Sequence, residues 1–261
     1  MKDIKTNSPS SSTAVRALKV LETVAASKGP ISVSDVAQTL GLDKVTAYRM
    51  LITLEQAGYI VRDTISKRFS MSYKVVSLSR NLLAENEVSK LVQEKLREIS
   101  NETQETLHYS ILDRHEAVLV HIVKGTQVLS VNFQIGDRSL LHATSIGKVL
   151  LAYQNDEYIE AVIARGLPRY TDKTLTKREE FLAELQQIRS QGYALDDKEF
   201  SMNMRCIAVP VFEGGGFVRS GISISGPATR FSYDYLKKLK EPMLHASRDL
   251  SRRLGGLPWD E

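Results

Sequence analysis

The sequence is poor in cysteine and has no long hydrophobic run. Cys206 is the single cysteine among 261 residues, so an internal disulfide is impossible and a reducing compartment is favoured. No apolar stretch approaches the roughly 18 residues that a membrane-spanning helix needs. Residues 1–12 are polar and lack the apolar segment of a secretory signal. We therefore expect a cytoplasmic protein with no membrane partner, and a disordered arm over residues 1–12.

Motifs for metal, phosphate and nucleotide chemistry are also missing. The five histidines show no H-x-x-x-H spacing, and no cysteine pair exists, so we expect no metal site. The sequence contains no P-loop, no G-x-G-x-x-G fingerprint and no G-x-S-x-G elbow. We accordingly expect no catalytic residues and no cofactor.

Charge is distributed unevenly along the chain. Residues 1–80 carry twelve Lys and Arg against six Asp and Glu, a net charge of +6, whereas residues 81–261 carry −2. A basic first third indicates contact with a polyanion such as double-stranded DNA. A merely solvated basic face is the alternative.

Residues 13–73 predict a winged helix-turn-helix. A short helix begins at Ser32, where Ser32 and Asp35 have the spacing of a capping box. Gly41 suits the end of that helix, and Asp43 suits the N-cap of the next one. Two closely spaced helices of this kind are typical of DNA-binding proteins, in which the second helix enters the major groove.

The second of these helices predicts one packed side and one reading side. The inward side carries Ala47, Met50, Leu51 and Leu54. Ile52 is predicted on the outward side with the candidate DNA contacts. Two short strands after this helix predict a wing whose tip touches DNA phosphates. The alternatives are a helix packed on the second domain and an ordinary solvated hairpin. The candidate DNA-binding residues are Lys44, Val45, Thr46, Tyr48, Arg49, Arg62, Lys67 and Arg68.

The remaining chain predicts a linker helix over residues 74–88 and an α/β domain over residues 89–257, which makes the fold class α+β. The linker pattern could break near Asn86, and its apolar stripe must pack on the second domain or on another chain. Strands and helices do not alternate strictly, so an antiparallel or mixed sheet flanked by helices is favoured. The predicted strands cover 106–112, 117–123, 127–133, 206–212 and 217–225, and the predicted helices cover 147–153, 158–165, 178–191 and 233–254.

Two segments of this domain predict a binding site. Ser145, Ile146 and Gly147 open a helix, where free amides and the positive end of the helix dipole suit a carboxylate. Ser223 and Ser225 lie two apart on a strand, so both hydroxyls point to one face. A solvated sheet face is the alternative.

Two other functions compete with a ligand-responsive regulator. An enzyme could use Cys206 as its nucleophile with one of the histidines as base, but it would leave the basic first third unexplained. An architectural DNA-binding protein without a ligand would not need so large a second domain.

The chain resembles the isocitrate-lyase-regulator (IclR) family over nearly its whole length. Glu105-Thr106-Leu107-His108 and Gly147-Lys148-Val149-Leu150-Leu151-Ala152 are most similar to the members that sense 2-keto-3-deoxygluconate. The resemblance rests on Val15-Arg16-Ala17-Leu18, Leu40-Gly41-Leu42-Asp43-Lys44-Val45-Thr46-Ala47-Tyr48-Arg49, Leu141-His142-Ala143-Thr144-Ser145-Ile146-Gly147-Lys148, Gly192-Tyr193-Ala194-Leu195-Asp196-Asp197-Lys198-Glu199, Arg205-Cys206-Ile207-Ala208-Val209-Pro210-Val211-Phe212 and Ile222-Ser223-Ile224-Ser225-Gly226-Pro227.

This resemblance implies a winged helix-turn-helix joined by a helix to a GAF-like effector domain. It implies homodimers or homotetramers on operator DNA, a repressor of a catabolic operon or an activator of the same type, and a small organic acid such as a 2-keto or sugar acid as effector. Some members carry two very small residues where this chain has Ser145 and Ile146, which changes the pocket volume. The implied pocket positions are Ser145, Ile146, Asp196, Cys206, Ser223 and Ser225.

Overall fold

The computed structural model describes residues 11–83 and 87–256 of the chain. The chain divides into two compact units, Met1–Ala84 and Glu85–Glu261. Within the described ranges, no helix is both long enough and apolar enough to cross a bilayer.

Two of the sequence predictions, the disordered arm and the break in the linker helix, concern residues that lie largely outside these ranges. Residues 1–10 of the predicted arm and the predicted helix break near Asn86 are not among the described residues. The end of the arm was predicted wrongly, because Ser12 is the first residue of a helix. The Ser11 side chain caps that helix by accepting a hydrogen bond from the Ala14 amide.

The first unit is a three-helix core followed by a two-stranded antiparallel hairpin and a further helix. Buried residues from the first three helices and both strands form its core, among them Val20, Val36, Leu51 and Phe69. The elements are α1 (Ser12–Ala26), α2 (Val33–Leu40), α3 (Lys44–Gln56), β1 (Ile60–Arg62), β2 (Phe69–Met71) and α4 (Lys74–Leu83).

The predicted helix ends of the first unit are confirmed. Ser32 and Asp35 form the capping box at the start of α2. Gly41 ends α2 with φ +63°, a left-handed conformation that glycine adopts without steric cost. Asp43 caps α3 by accepting a hydrogen bond of 2.8 Å from the Thr46 amide. These caps set the short turn that places α3 beside α2.

The second unit is a six-stranded antiparallel sheet between two layers of helices. The strand order is β5-β4-β3-β8-β7-β6 in the numbering given below. The elements are α5 (Glu87–Thr103), β3 (Leu107–Asp113), β4 (Glu116–Val123), β5 (Arg138–Leu140), α6 (Ser145–Ala152), α7 (Asp156–Ala164), α8 (Arg178–Gln191), β6 (Ala194–Asp197), β7 (Met204–Glu213), β8 (Phe217–Pro227) and α9 (Tyr233–Arg253).

Each face of this sheet has its own hydrophobic core. Helices α5 and α9 cover one face, with Leu96 and Met243 among the buried residues. Helices α6, α7 and α8 cover the other face, with Val149 and Phe181 among the buried residues. Every residue of α6 is buried, so this helix lies inside the unit rather than at its surface.

The strand predicted over residues 127–133 does not form, and β6 was missed. The edge strand β5 pairs with β4 instead, with Glu116 opposite Leu140. Val128 is fully exposed and Leu129 is 67% exposed, so the apolar residues that suggested a strand are not buried. Residues between β4 and β5 therefore form a loop.

We predict that Gly147→Ala destabilises the second unit. An added Cβ would lie 2.2 Å from the Leu140 carbonyl oxygen and 2.6 Å from the Leu141 Cα, which are backbone atoms that α6 itself packs against. The expected cost is about 1–3 kcal/mol, the usual size for overpacking. Urea unfolding of the full chain measures it.

Gly214→Ala is the matched control in the same unit. Its added Cβ would meet nothing closer than the Gly255 carbonyl oxygen at 3.8 Å. Equal stabilities of the two variants would contradict the close approach of α6 to Leu140.

Candidate functional sites

Helix α3 exposes a mixed polar and apolar stripe on the first unit. Val45 is 69% exposed and Tyr48 is 42% exposed. Lys44 and Arg49 are also exposed, whereas Thr46 is half-buried. A tyrosine and a valine between two cations suit base edges and thymine methyl groups better than they suit water.

The opposite side of α3 is packed as predicted, with one difference. Ala47, Met50, Leu51 and Leu54 are buried. Ile52, which the sequence placed on the outward side, is half-buried and packs against the core of the first unit. It lies at the edge of the exposed stripe, so the hydrophobic side is wider than predicted.

The wing between β1 and β2 places the three predicted cations differently. Lys67 is exposed in the loop with φ +57°. The Arg62 guanidinium lies over the rings of Tyr48, at 5.8 Å, and Phe69, at 5.5 Å, so it joins the base of the wing to α3. Arg68 turns back and donates to the Pro30 carbonyl at 3.1 Å. Of the three predicted wing contacts, Lys67 thus lies in the loop, whereas Arg62 and Arg68 have protein partners at the base of the wing.

Arg16 was missed as a candidate DNA contact. It is exposed on α1, and it lines one groove together with Thr46 and Arg49 of α3. A cation placed beside the recognition helix is suited to a backbone phosphate rather than to a base. The motif Val15-Arg16-Ala17-Leu18 contained the residue, but helical periodicity alone gave no reason to select it.

A cavity opens in the second unit between the start of α6 and the sheet. The space between atoms is about 410 Å³ in total, and part of it is open solvent at the mouth. Hydroxyl groups and apolar side chains alternate around it, and no lysine or arginine lines it among the residues described. The lining residues are His108, Ser110, Leu119, Phe133, Asp137, Ser139, Thr144, Ser145, Ile146, Met204, Cys206, Ser223 and Ser225.

The strand register brings the polar residues of this cavity together. Ser225 lies opposite Cys206 on β7, and Ser223 lies opposite His108 on β3. Ser145 and Ile146 enter from the first turn of α6. Five of the seven predicted effector residues therefore line one cavity, namely Ser145, Ile146, Cys206, Ser223 and Ser225.

Gly147 and Asp196 do not line the cavity. The Gly147 amide already donates to Thr144 Oγ1 at 3.1 Å, so it is not available to a carboxylate as predicted. The amides that remain at the helix end are those of Ser145 and Ile146. Asp196 lies one strand further away, paired with Cys206 and fully buried.

Buried ionisable groups near Cys206 disfavour a reactive thiol. Burial raises the pKa of Cys206 well above its usual range, and the Asp196 carboxylate acts in the same direction. Burial also raises the pKa of Asp196 to about 6, although the Glu199 amide donates to its Oδ1 at 2.7 Å. A nucleophilic cysteine needs the opposite environment, one that lowers the thiol pKa.

Lys148 is the main charged residue that sequence reasoning overlooked. It is 1% exposed on α6, and its Nζ lies 2.8 Å from Glu184 Oε1 and 2.5 Å from Glu199 Oε1. Burial raises the pKa of Glu199 to about 7, while the Lys148 ammonium opposes that rise. The Lys148 ammonium thus pairs with two carboxylates and links α6 to α8 and to the segment after β6, and its charge also opposes the rise in the pKa of Asp196. A lysine within an otherwise apolar helix was the available signal.

The cavity residues that were not predicted lie on β3, in the loop before β5, and at four further positions, namely Leu119, Ser139, Thr144 and Met204. His108 and Ser110 lie two apart on β3, so the alternation that selected Ser223 and Ser225 also applies to them. Phe133 and Asp137 lie in the loop that was partly predicted as a strand. That wrong strand is the reason they were not considered.

A winged helix-turn-helix with a separate, cavity-containing α/β unit defines the class of ligand-responsive transcriptional regulators. Family models match both units: the IclR helix-turn-helix domain over residues 13–64 and the C-terminal domain of bacterial IclR transcriptional regulators over residues 80–252. The chain belongs to the IclR family of transcriptional regulators. It is therefore a regulator with a DNA-binding domain and an effector-binding domain rather than an enzyme.

Curated relatives and solved structures agree with this assignment. The HTH-type transcriptional regulator KdgR of Escherichia coli is 34% identical over 227 residues, which cover 86% of each chain. The transcriptional repressor IclR of E. coli is 29% identical over 93% of this chain and 89% of its own length. The crystal structure of the Thermotoga maritima IclR matches with a TM-score of 0.75 at 27% identity, over 93% of this chain and 98% of that one.

We predict that Lys148→Met strongly destabilises the second unit, because it leaves buried Glu199 without its cation. Removing one partner of a buried ion pair typically costs about 3–5 kcal/mol. The double variant Lys148→Met with Glu199→Gln should recover part of the loss, since it removes the uncompensated charge as well. Urea unfolding of the single and double variants measures both effects. A double variant less stable than Lys148→Met would count against this pairing.

Proposed function

We propose that this protein represses a catabolic operon by binding operator DNA through α3 and the wing, and that a small carboxylate in the cavity of the second unit releases it. The observation that carries the proposal is the cavity at the start of α6, on a unit joined to a winged helix-turn-helix. The repressor role is supported by relatives that carry that name. Since a regulator acts where DNA is, the proposed compartment is the cytoplasm.

The DNA contacts divide into two groups. Val45, Tyr48 and Arg49 read bases from the exposed side of α3, and Arg49 suits a guanine. Lys44, Thr46 and Arg16 contact phosphates at the edges of this helix. Lys67 contacts the backbone from the wing, Arg62 holds the wing against Tyr48, and Arg68 adds positive charge near the start of α2.

The effector contacts follow from the cavity lining. The amides of Ser145 and Ile146 and the positive end of the α6 dipole bind the carboxylate, since no cation lines the cavity among the described residues. Ser223, Ser225 and Ser145 supply hydroxyl groups for the other oxygens. Gly147 and Asp196 support this site from behind, Gly147 by close packing and Asp196 beside Cys206. A 2-keto or sugar acid meets these requirements.

The active form is a homodimer or homotetramer. Val15 and Leu18 of α1 are 44% and 56% exposed, and Val76 and Leu78 of α4 are 62% and 58% exposed. Apolar side chains exposed on two helices of a DNA-binding unit favour pairing with a second copy, and two copies suit a palindromic operator.

We predict that Arg49→Ala weakens operator binding by about 5- to 100-fold, the usual effect of losing a base-reading arginine. Operator DNA is first selected from sheared genomic DNA with the full chain, and fluorescence anisotropy then gives affinities. Arg49→Lys should restore only part of the affinity, because lysine keeps the charge but loses the planar fork. Lys177→Ala, an exposed cation of the second unit, is the charge-matched control.

Arg16→Ala should behave differently from Arg49→Ala. A lost phosphate contact weakens the binding of specific and non-specific DNA alike and lowers the slope of log affinity against log salt by about one.

Unchanged operator affinity in Arg49→Ala would overturn the assignment of α3 as the reading helix.

We predict that keto, sugar or aromatic acids stabilise the purified protein and lower its operator affinity. A ligand at about 100 times its dissociation constant adds about 2.7 kcal/mol to stability, which a thermal-shift screen detects. Ser223→Ala with Ser225→Ala should reduce the shift without changing operator binding. If none of these carboxylates stabilises the protein, the proposed effector class is contradicted.

A further inference from the structure

His108 is an unusual member of the cavity lining. It is 3% exposed, and neither ring nitrogen has a partner with hydrogen-bond geometry among the described residues. Burial lowers the pKa of His108 to about 4, and the adjacent Ser223 backbone opposes this only in part. Burial therefore favours the neutral imidazole, and Ser223 offers its ring nitrogens at most a weak backbone contact.

Unused buried polar atoms are costly unless a ligand or water meets them. The edge contact with Phe133, with ring centroids 5.3 Å apart, holds the imidazole without satisfying either nitrogen. The other polar groups of the sheet face, such as Ser110 and Ser223, are hydroxyls. His108 is thus the only nitrogen-bearing side chain in the described cavity lining.

The charges around the cavity limit what can approach this ring. Asp137, in the loop above, is the one acidic side chain in the described lining. Asp196 and Glu199 lie behind Cys206 and raise its pKa by their negative charge. A second carboxylate beside His108 would find no fixed cation, whereas a hydroxyl or carbonyl group would find a donor and an acceptor.

We propose that His108 determines effector specificity by hydrogen bonding to an uncharged hydroxyl or carbonyl group of a monocarboxylate. This inference rests on the proposed function, since the carboxylate itself is bound at α6. It assigns selection among carboxylates to a residue of β3 and excludes dicarboxylates. The imidazole rejects a plain alkyl chain because its buried nitrogens would stay unsatisfied.

The experiment compares three acids of equal carbon number: gluconate with hydroxyl groups, hexanoate with a methyl end and adipate with a second carboxylate. Calorimetry gives their affinities for the wild type, His108→Phe and His108→Gln. His108→Phe keeps a ring of similar shape without hydrogen-bonding groups, and His108→Gln keeps a donor and an acceptor. Thermal unfolding of each variant shows whether it is folded.

The wild type should prefer gluconate over both other acids. His108→Phe should lower the affinity for gluconate by about 10-fold or more and leave the affinity for hexanoate within about 3-fold of the wild type. His108→Gln should keep the affinity for gluconate within about 5-fold of the wild type. His108 itself should add no pH dependence to gluconate affinity between about pH 6 and 8, so any trend there comes from Asp196 and Glu199 and should be the same in His108→Phe. If His108→Phe is unfolded, the wild-type preference among the three acids and the affinities of His108→Gln decide.

Several outcomes would overturn the proposal. An unchanged preference for gluconate in His108→Phe would mean that the ring does not read the ligand. Tighter binding of adipate than of gluconate would mean that the His108 ring is a cation. The same conclusion would follow if gluconate bound more tightly at acid pH in the wild type but not in His108→Phe. Binding of hexanoate or another carboxylate in preference to gluconate refutes this inference alone. Binding of no carboxylate refutes the proposed effector as well.

Discussion

The buried ammonium of Lys148 is the interaction on which the effector unit depends. It binds Glu184 of α8 and Glu199 after β6, so three parts of the chain meet at one charge. A buried cation is stable only when its partners are held in place, and the partners here are fixed by the sheet and by α8. The position of α6 follows from this arrangement, and the cavity is formed by the first turn of that helix. The ion pairs of Lys148 therefore set the position of the cavity, although none of their three residues lines it.

A consequence is that a charged ligand in the cavity would meet no lysine or arginine among the described lining residues. Lys148 is turned toward Glu184 and Glu199, and it does not line the cavity. Negative charge in a ligand must be met by backbone amides and by the dipole of α6, which act over about one helical turn. Such a site stabilises a single carboxylate at one end and leaves the other end to neutral groups. The neutral imidazole of His108 agrees with this division.

Much of the fold could be predicted from the sequence because its signals were local. The capping residues Ser32 and Asp43 and the positive φ of Gly41 defined the helix-turn-helix, and strand alternation placed Ser223 and Ser225 on one face. The errors arose where long-range contacts decide. Residues 127–133 have strand-like composition but no strand beside them. Arg68 has a partner, the Pro30 carbonyl, that no spacing rule indicates. Gly147 is a different case, because the N-cap rule applied to Thr144 would have indicated that its amide is already bound.

Regulation requires that a ligand bind one state of the protein more tightly than the other. A 100-fold change in operator affinity corresponds to about 2.7 kcal/mol of coupling. A net hydrogen bond is worth about 0.5–1.5 kcal/mol, so two or three bonds made in only one state are enough. The cavity offers that number from separate elements: amides on α6, a ring on β3 and hydroxyls on β8. A ligand that bridges these elements stabilises the state in which they are closest, and the coupling equals the free energy of the bonds that it makes in that state alone.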